Sequence, residues 1–256
     1  MGLLMDLFSP LFWSAVAQII VIDLVLSGDN AVVIALACRN LDPPQRRFGI
    51  LWGVLGAVSL RVFLTAFAAL LMGWPWIKFI GGLLLLWIGT KLMVPEQDGG
   101  HEIRGSASLW GAVRTIIVAD FVMSLDNVIA IAGAAEGAAD GHQMPLVIFG
   151  LLVSIPIIVW GSQLVIKLMD RFPVVIVVGG MLLGWIAGGM LVTDPAFVNP
   201  DKWQWMPKLG TVDSNGMAEI SRTLYWTAHV AGALLVLAIG KFITSRRGAT
   251  DSAQHG

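Results

Sequence analysis

The sequence is poor in charge. Only 13% of its 256 residues are Asp, Glu, Lys or Arg, against about 25% in an ordinary soluble domain. It has one cysteine, Cys38, which excludes an intramolecular disulfide and any cysteine-cluster metal site. It has no basic surplus, with 16 Lys and Arg against 17 Asp and Glu, so a polybasic nucleic-acid binder is excluded. A P-loop, a G-x-S-x-G elbow and an H-E-x-x-H helix are all missing. No enzyme is expected, and no resident cofactor. No Lys or Arg precedes the first apolar run, which therefore reads as a retained span rather than a cleavable signal peptide.

What fills the chain is apolar: 57% of residues are hydrophobic and the mean hydropathy is +0.80. A single soluble domain would have to expose the surplus, whereas a bilayer absorbs it. Apolar runs of spanning length occur at about 11–38, 48–72, 75–93, 110–135, 144–168, 173–192 and 223–243. The expected fold class is an all-α polytopic membrane protein with seven transmembrane helices. Lipid offers no partner to open strand edges, and segments such as "FIGGLLLLWIG" are apolar on every side, unlike the alternating strands of a barrel. Trp13, Trp74, Trp76, Trp110, Trp203, Trp205 and Trp226 fall near span ends, where indoles anchor at the interface.

Orientation follows from the cations. Arg39, Arg46, Arg47, Lys91, Arg104, Arg114, Lys167, Arg171, Lys241, Arg246 and Arg247 fall on one side; Lys78, Lys202, Lys208 and Arg222 fall on the other. The richer side is expected to be cytoplasmic. That places the chain in a bacterial cytoplasmic (inner) membrane with its N-terminus outside and its C-terminus inside. The polar stretch 94–109 then reads as a cytoplasmic linker and 193–222 as an outer loop, both simple connectors.

The most informative feature is a repeat. "IDLVLSGDN" at 22–30 matches "ADFVMSLDN" at 119–127, an offset of 97. The offset carries Gly53 onto Gly150, then slips by one, so that Gly81-Gly82 meets Gly179-Gly180. Residues 11–93 form a first three-helix copy and 110–192 a second. An odd number of spans inverts the second copy, the plan of many secondary transporters, whose sites lie near the midplane. The helix at 223–243 stands outside the repeat.

Each copy carries acids inside an apolar run: Asp23 and Asp29, then Asp120 and Asp126. An Asp at a span centre costs about 2.5–3.5 kcal/mol, so packing alone does not place four of them there, and intramembrane acids mark ion or proton paths. At 100° per residue Asp23, Ser27 and Asn30 share a stripe, as do Asp120, Ser124 and Asn127, whereas Asp29 and Asp126 point about 120° away. A kink at Ser27-Gly28 would bring Asp29 into the same cavity; Leu125 replaces that glycine in the second copy. The donors are carboxylate, amide and hydroxyl oxygens, which suit Mg, Ca or Mn. Asp23, Asp29, Asn30, Asp120, Asp126 and Asn127 are the candidate metal ligands, with Ser27 and Ser124 in support. Arg61 lies within the second span, where it either snorkels or pairs with an intramembrane Asp. Lys78 reads as snorkelling, and Cys38 and His229 read as packing residues.

With "DLVLSGDN", "DFVMSLDN", paired three-span halves and seven spans, the chain resembles the TerC family of integral membrane proteins, and within it the branch associated with manganese-responsive RNA switches. The family is similar to the larger lysine-exporter superfamily. The resemblance covers about residues 11 to 243 and maps the family's acidic motif onto Asp23, Asp29, Asn30, Asp120, Asp126 and Asn127. It implies Mn2+ export, with protons as exchange partner. Two other readings stay open: an amino-acid or organic-cation exporter, and a non-transporting accessory that contacts secretion machinery. A homo-oligomer is compatible with each.

Overall fold

The computed structural model describes residues 28–67, 74–94, 108–136, 143–198, 209–212 and 218–254, together with Trp13, Ala17, Ile20 and Val21. The helices, in chain order, are α1 (Gly28–Cys38), α2 (Pro43–Ala66), α3 (Ile77–Met93), α4 (Leu109–Glu136), α5 (Gln143–Arg171), α6 (Val174–Val192) and α7 (Arg222–Gln254).

Local chemistry explains several boundaries. Pro43 and Pro44 open α2, where a missing N–H is harmless and φ is already helical. The Asp42 carbonyl accepts the Arg46 N–H at 2.8 Å as the first helical bond. At the start of α4 the Ser108 hydroxyl accepts the Gly111 N–H at 3.0 Å, the bond of an N-cap to its third helical residue. Pro156 sits inside α5 and removes one backbone bond there.

Among the described residues, four helical stretches are long and apolar enough to cross a membrane: Pro43–Ala66, Val147–Arg171, Val174–Val198 and Arg222–Arg246. α3 is equally apolar but has 17 residues, a length at the lower end of the spanning range of about 17–25. Much of the first half of the expected first span lies outside the described residues, as does Ser27 of the expected kink. α4, in contrast, runs as one helix through the whole second motif.

The chain divides into two compact units. Unit one is Met1–Met72 with Ala107–Lys167; unit two is Gly73–Ser106 with Leu168–Gly256. These boundaries cut across the two sequence copies: each copy gives its first two runs to unit one and its third to unit two. In unit one, α2 packs along α4, and α1 packs against both. Its core includes Ile34, Leu36, Ile50, Leu64 and Ile116, each at most 2% exposed.

Unit two is α3, α6 and α7 with the residues that follow α6. Its helices meet backbone to backbone. A Cβ at Gly188 would collide with the Ala228 carbonyl oxygen, and one at Gly232 with that of Gly184, so glycine is what permits this crossing. The 193–222 stretch departs from the expected plain connector. It holds a helical turn, Pro195–Val198, and an antiparallel hairpin of Gly210–Val212 with Ala218–Ile220. This hairpin is also the one departure from an all-α fold among the described residues. Strands of three residues are too short to show a period-2 signal.

Candidate functional site

The site grows from three helices of unit one. Asp120 and Ser124 stand one turn apart on α4, so their side chains stack on the same face. Arg61 comes from α2 and Asn30 from the first turn of α1. All four are buried: Arg61 is 2% exposed, Asp120 4%, Asn30 5% and Ser124 0%.

They form one network around the Asp120 carboxylate. Arg61 Nη2 donates to Asp120 Oδ1 at 2.6 Å, and Asn30 Nδ2 donates to the same oxygen at 2.9 Å. Ser124 Oγ donates to Asp120 Oδ2 at 3.2 Å and accepts from Arg61 Nε at 3.1 Å. Arg61, Asp120 and Ser124 thus form a closed triangle with Asn30 attached at Asp120, so the guanidinium has little rotational freedom. Removing either charge would leave its partner buried without compensation.

Among the described residues, two oxygens beside this network have no hydrogen-bond partner: Asp29 Oδ1 and Asn30 Oδ1, both shut off from solvent. Buried acceptors are almost always satisfied, so adjacent orphans on one helical turn need a reason. Asp29 also lies within Coulomb range of Arg61 and Asp120. A small cavity of about 10 Å3 opens here, bordered by Asn30, Arg61 and Asp120 and by the apolar side chains of Val33, Ile34, Val54, Ala57, Val58, Ile116 and Ile158. That is close to the least space that admits a single water-sized guest.

The sequence reading therefore meets the structure unevenly. Asn30, Asp120 and Ser124 are brought together across 90 positions of sequence. Asp29 is partly buried at the same helix start. Asp126 and Asn127 lie on α4, but their side chains fall outside the described residues, as do Asp23 and Ser27 altogether. Among the described residues, no group of three His, Cys, Asp or Glu is gathered in one place. Arg61 resolves to the paired alternative rather than the snorkelling one.

Trp76 stands immediately before α3, at the span end where the sequence puts it, and packs edge-on against Phe79 and Phe197, with ring centres 5.9 and 5.8 Å away. Its left-handed backbone, φ 71°, turns its N–H onto Asp194 Oδ1 at 2.9 Å. Asp194, fully buried in unit two, also accepts the N–H groups of Phe79 at 3.0 Å and Ala196 at 2.7 Å. Sequence reasoning missed this residue. Its only local signal was an Asp directly before Pro195, which marks a helix start and not a partner 115 or more residues away. His229 packs among Trp185, Tyr225 and Trp226, and its Nδ1 lies 2.7 Å from the Tyr225 carbonyl oxygen.

Comparison with known proteins gives a consistent family. The model of the "Integral membrane protein TerC family" matches residues 8–248. The chain is similar to YjbE, an uncharacterized membrane protein of Bacillus subtilis, at 46% identity over 176 residues, covering 69% of this chain and 78% of that one. It is similar to YceF of the same organism at 26% identity over 192 residues, covering 71% and 72%. It also matches YegH of Escherichia coli, a UPF0053 protein, at 26% identity over 75% of this chain but only 39% of YegH. No solved structure matches it significantly. The chain belongs to the TerC family of integral membrane proteins.

Proposed function

We propose that the protein exports a divalent metal cation, Mn2+, across the bacterial inner membrane, N-terminus outside and C-terminus inside, by alternating access around the site at Asp29, Asn30 and Asp120. Asp23, Asp126 and Asn127 complete the ligand set, and Ser27 and Ser124 orient it. The reading agrees with what the motif resemblance implies, a member of the manganese-associated branch of the family and a relative of the small lysine-exporter permeases. The observation that carries the reading is the pair of buried, unpartnered oxygens, Asp29 Oδ1 and Asn30 Oδ1, beside the Asp120 network. A carboxylate oxygen and an amide oxygen left unpartnered side by side suit a hard dication.

Charge supports a cationic cargo. The four intramembrane acids of the two motifs are opposed by the single guanidinium of Arg61, so the set retains an excess of three negative charges. A dication removes two of them and lowers the cost of keeping acids in the membrane. Depth supports it as well. Asp120 lies eleven residues into α4, about 16 Å along its axis at 1.5 Å per residue, near the middle of a hydrocarbon core of about 30 Å. Protons that occupy the acids after the metal leaves would complete the exchange cycle.

The test is flux in proteoliposomes with Mn2+, Mg2+, Ca2+ and lysine compared side by side. Saturable Mn2+ flux that moves protons the other way is expected. Lysine flux without metal flux would shift the assignment to an organic-cation exporter. No flux of any of them, with folded protein, would leave the accessory reading.

A further inference from the structure

A cation site that already holds a cation calls for a reason. Arg61 reaches Asp120 Oδ1 with both side chains buried. Asn30 donates to the same oxygen, so that atom already accepts two hydrogen bonds. A cation that takes Asp120 Oδ1 competes with the guanidinium for it. The Nε bond to Ser124 tethers Arg61 at the site, so that it can let go of the carboxylate without leaving. The repeat gives no second arginine: 97 positions on from Arg61 stands Ile158, and Ile158 borders the same cavity. A charge kept only to offset a buried acid would be wanted equally by both copies.

We propose that Arg61 is the resident counter-ion of the site, pairing with Asp120 while no cargo is bound and yielding it to an incoming divalent cation. This rests on the cation-transport reading above. Guanidinium and cargo then compete for one carboxylate. The apparent affinity for cargo falls by the fraction of molecules in which Asp120 is free, which speeds release. During the return step of the empty carrier, Asp120 is never a lone buried anion. Because an arginine keeps its charge at every physiological pH, this neutralisation does not depend on a proton supply.

The experiment uses the full-length protein with Mn2+ as the probe. Binding is measured by calorimetry in micelles, and efflux from loaded liposomes is normalised to folded protein. Arg61→Gln removes the competitor: Mn2+ is expected to bind about tenfold tighter or more, with net efflux slowed by a similar factor. Arg61→Lys keeps the charge but cannot hold Ser124 and Asp120 together as a planar fork does; affinity is expected to rise by a smaller factor, about threefold. A folded Arg61→Gln protein that binds Mn2+ no more tightly than the original overturns the proposal and leaves Arg61 a structural clamp. Where Arg61→Gln does not fold, Arg61→Lys decides by the same sign. An original protein that binds none of Mn2+, Mg2+ or Ca2+ overturns the cation reading and this proposal together.

Discussion

The two compact units solve the problem of helix association in opposite ways. Unit two is held by contact of backbone on backbone: Gly184 and Gly188 against Ala228 and Gly232, with Gly82 and Gly89 set against carbonyls of the neighbouring helix. Asp194, its buried acid among the described residues, accepts three N–H donors across both oxygens. Unit one keeps side chains between its helices. Gly53 of α2 faces the flexible end of Ile116 rather than a backbone, and its centre is a charged network with two oxygens unused. Polar groups that are fully satisfied make a rigid structure; buried polar groups left unsatisfied are rare and need a reason. Under the function proposed above, unit two is scaffold and unit one carries the chemistry.

The largest effect that would sharpen this contrast is expected at Asp120. Asp120→Asn leaves Arg61 buried without its anion, and breaking such a pair costs about 3–5 kcal/mol. The loss should appear as a large drop in thermal stability in detergent. The double variant Arg61→Gln with Asp120→Asn should recover most of it, because neither member of the pair is then charged. Equal instability of single and double variants would contradict the network as drawn.

Next in size is Asp194→Ala in unit two. It strands three buried or partly buried N–H groups, and each unmet donor costs about 1–3 kcal/mol, lessened where water reaches. A fall of about 3 kcal/mol in unfolding free energy is expected, with Mn2+ binding per folded molecule unchanged. Weakened binding would show that unit two takes part in the chemistry.

Smaller effects separate the two kinds of helix contact. Gly188→Ala drives a methyl into the Ala228 carbonyl and is expected to cost about 1–3 kcal/mol through overpacking. Gly53→Ala meets the side chain of Ile116, its movable Cδ1 at 2.5 Å and its Cγ2 and Cβ at 3.2 and 3.3 Å, and no backbone atom among these; its helix-propensity gain of up to about 1 kcal/mol should offset the shift, leaving stability near that of the original. Chemical denaturation of both variants under one protocol checks the ordering. A larger loss at Gly53 than at Gly188 would reverse the contrast.

Much of unit one was legible in sequence because it is built from a doubled motif. The pattern at 22–30 and 119–127 singled out Asn30, Asp120 and Ser124 before any packing was known, and these do converge. Arg61 was only half legible. A lone arginine in an apolar run has two outcomes, and the choice depends on which helix faces it, which no local pattern records. Asp194 and the hairpin were illegible for a related reason. Their partners are set by tertiary contact, Trp76 at a separation of 118 residues and strands too short for periodicity. The long apolar helices announced themselves by composition. The division of each copy between two units did not, because a repeat in sequence says which segments are alike, not which ones pack together.

The most direct test of unit one as a cation site is Asp29→Asn, followed by both melting temperature and Mn2+ binding in the same preparation. Among the described residues Asp29 Oδ1 accepts no hydrogen bond, so removing its charge should change stability little, while Mn2+ affinity falls at least about a hundredfold for loss of a buried charged ligand. Stability retained together with Mn2+ affinity retained would contradict the assignment and leave Asp29 without a role in cation binding.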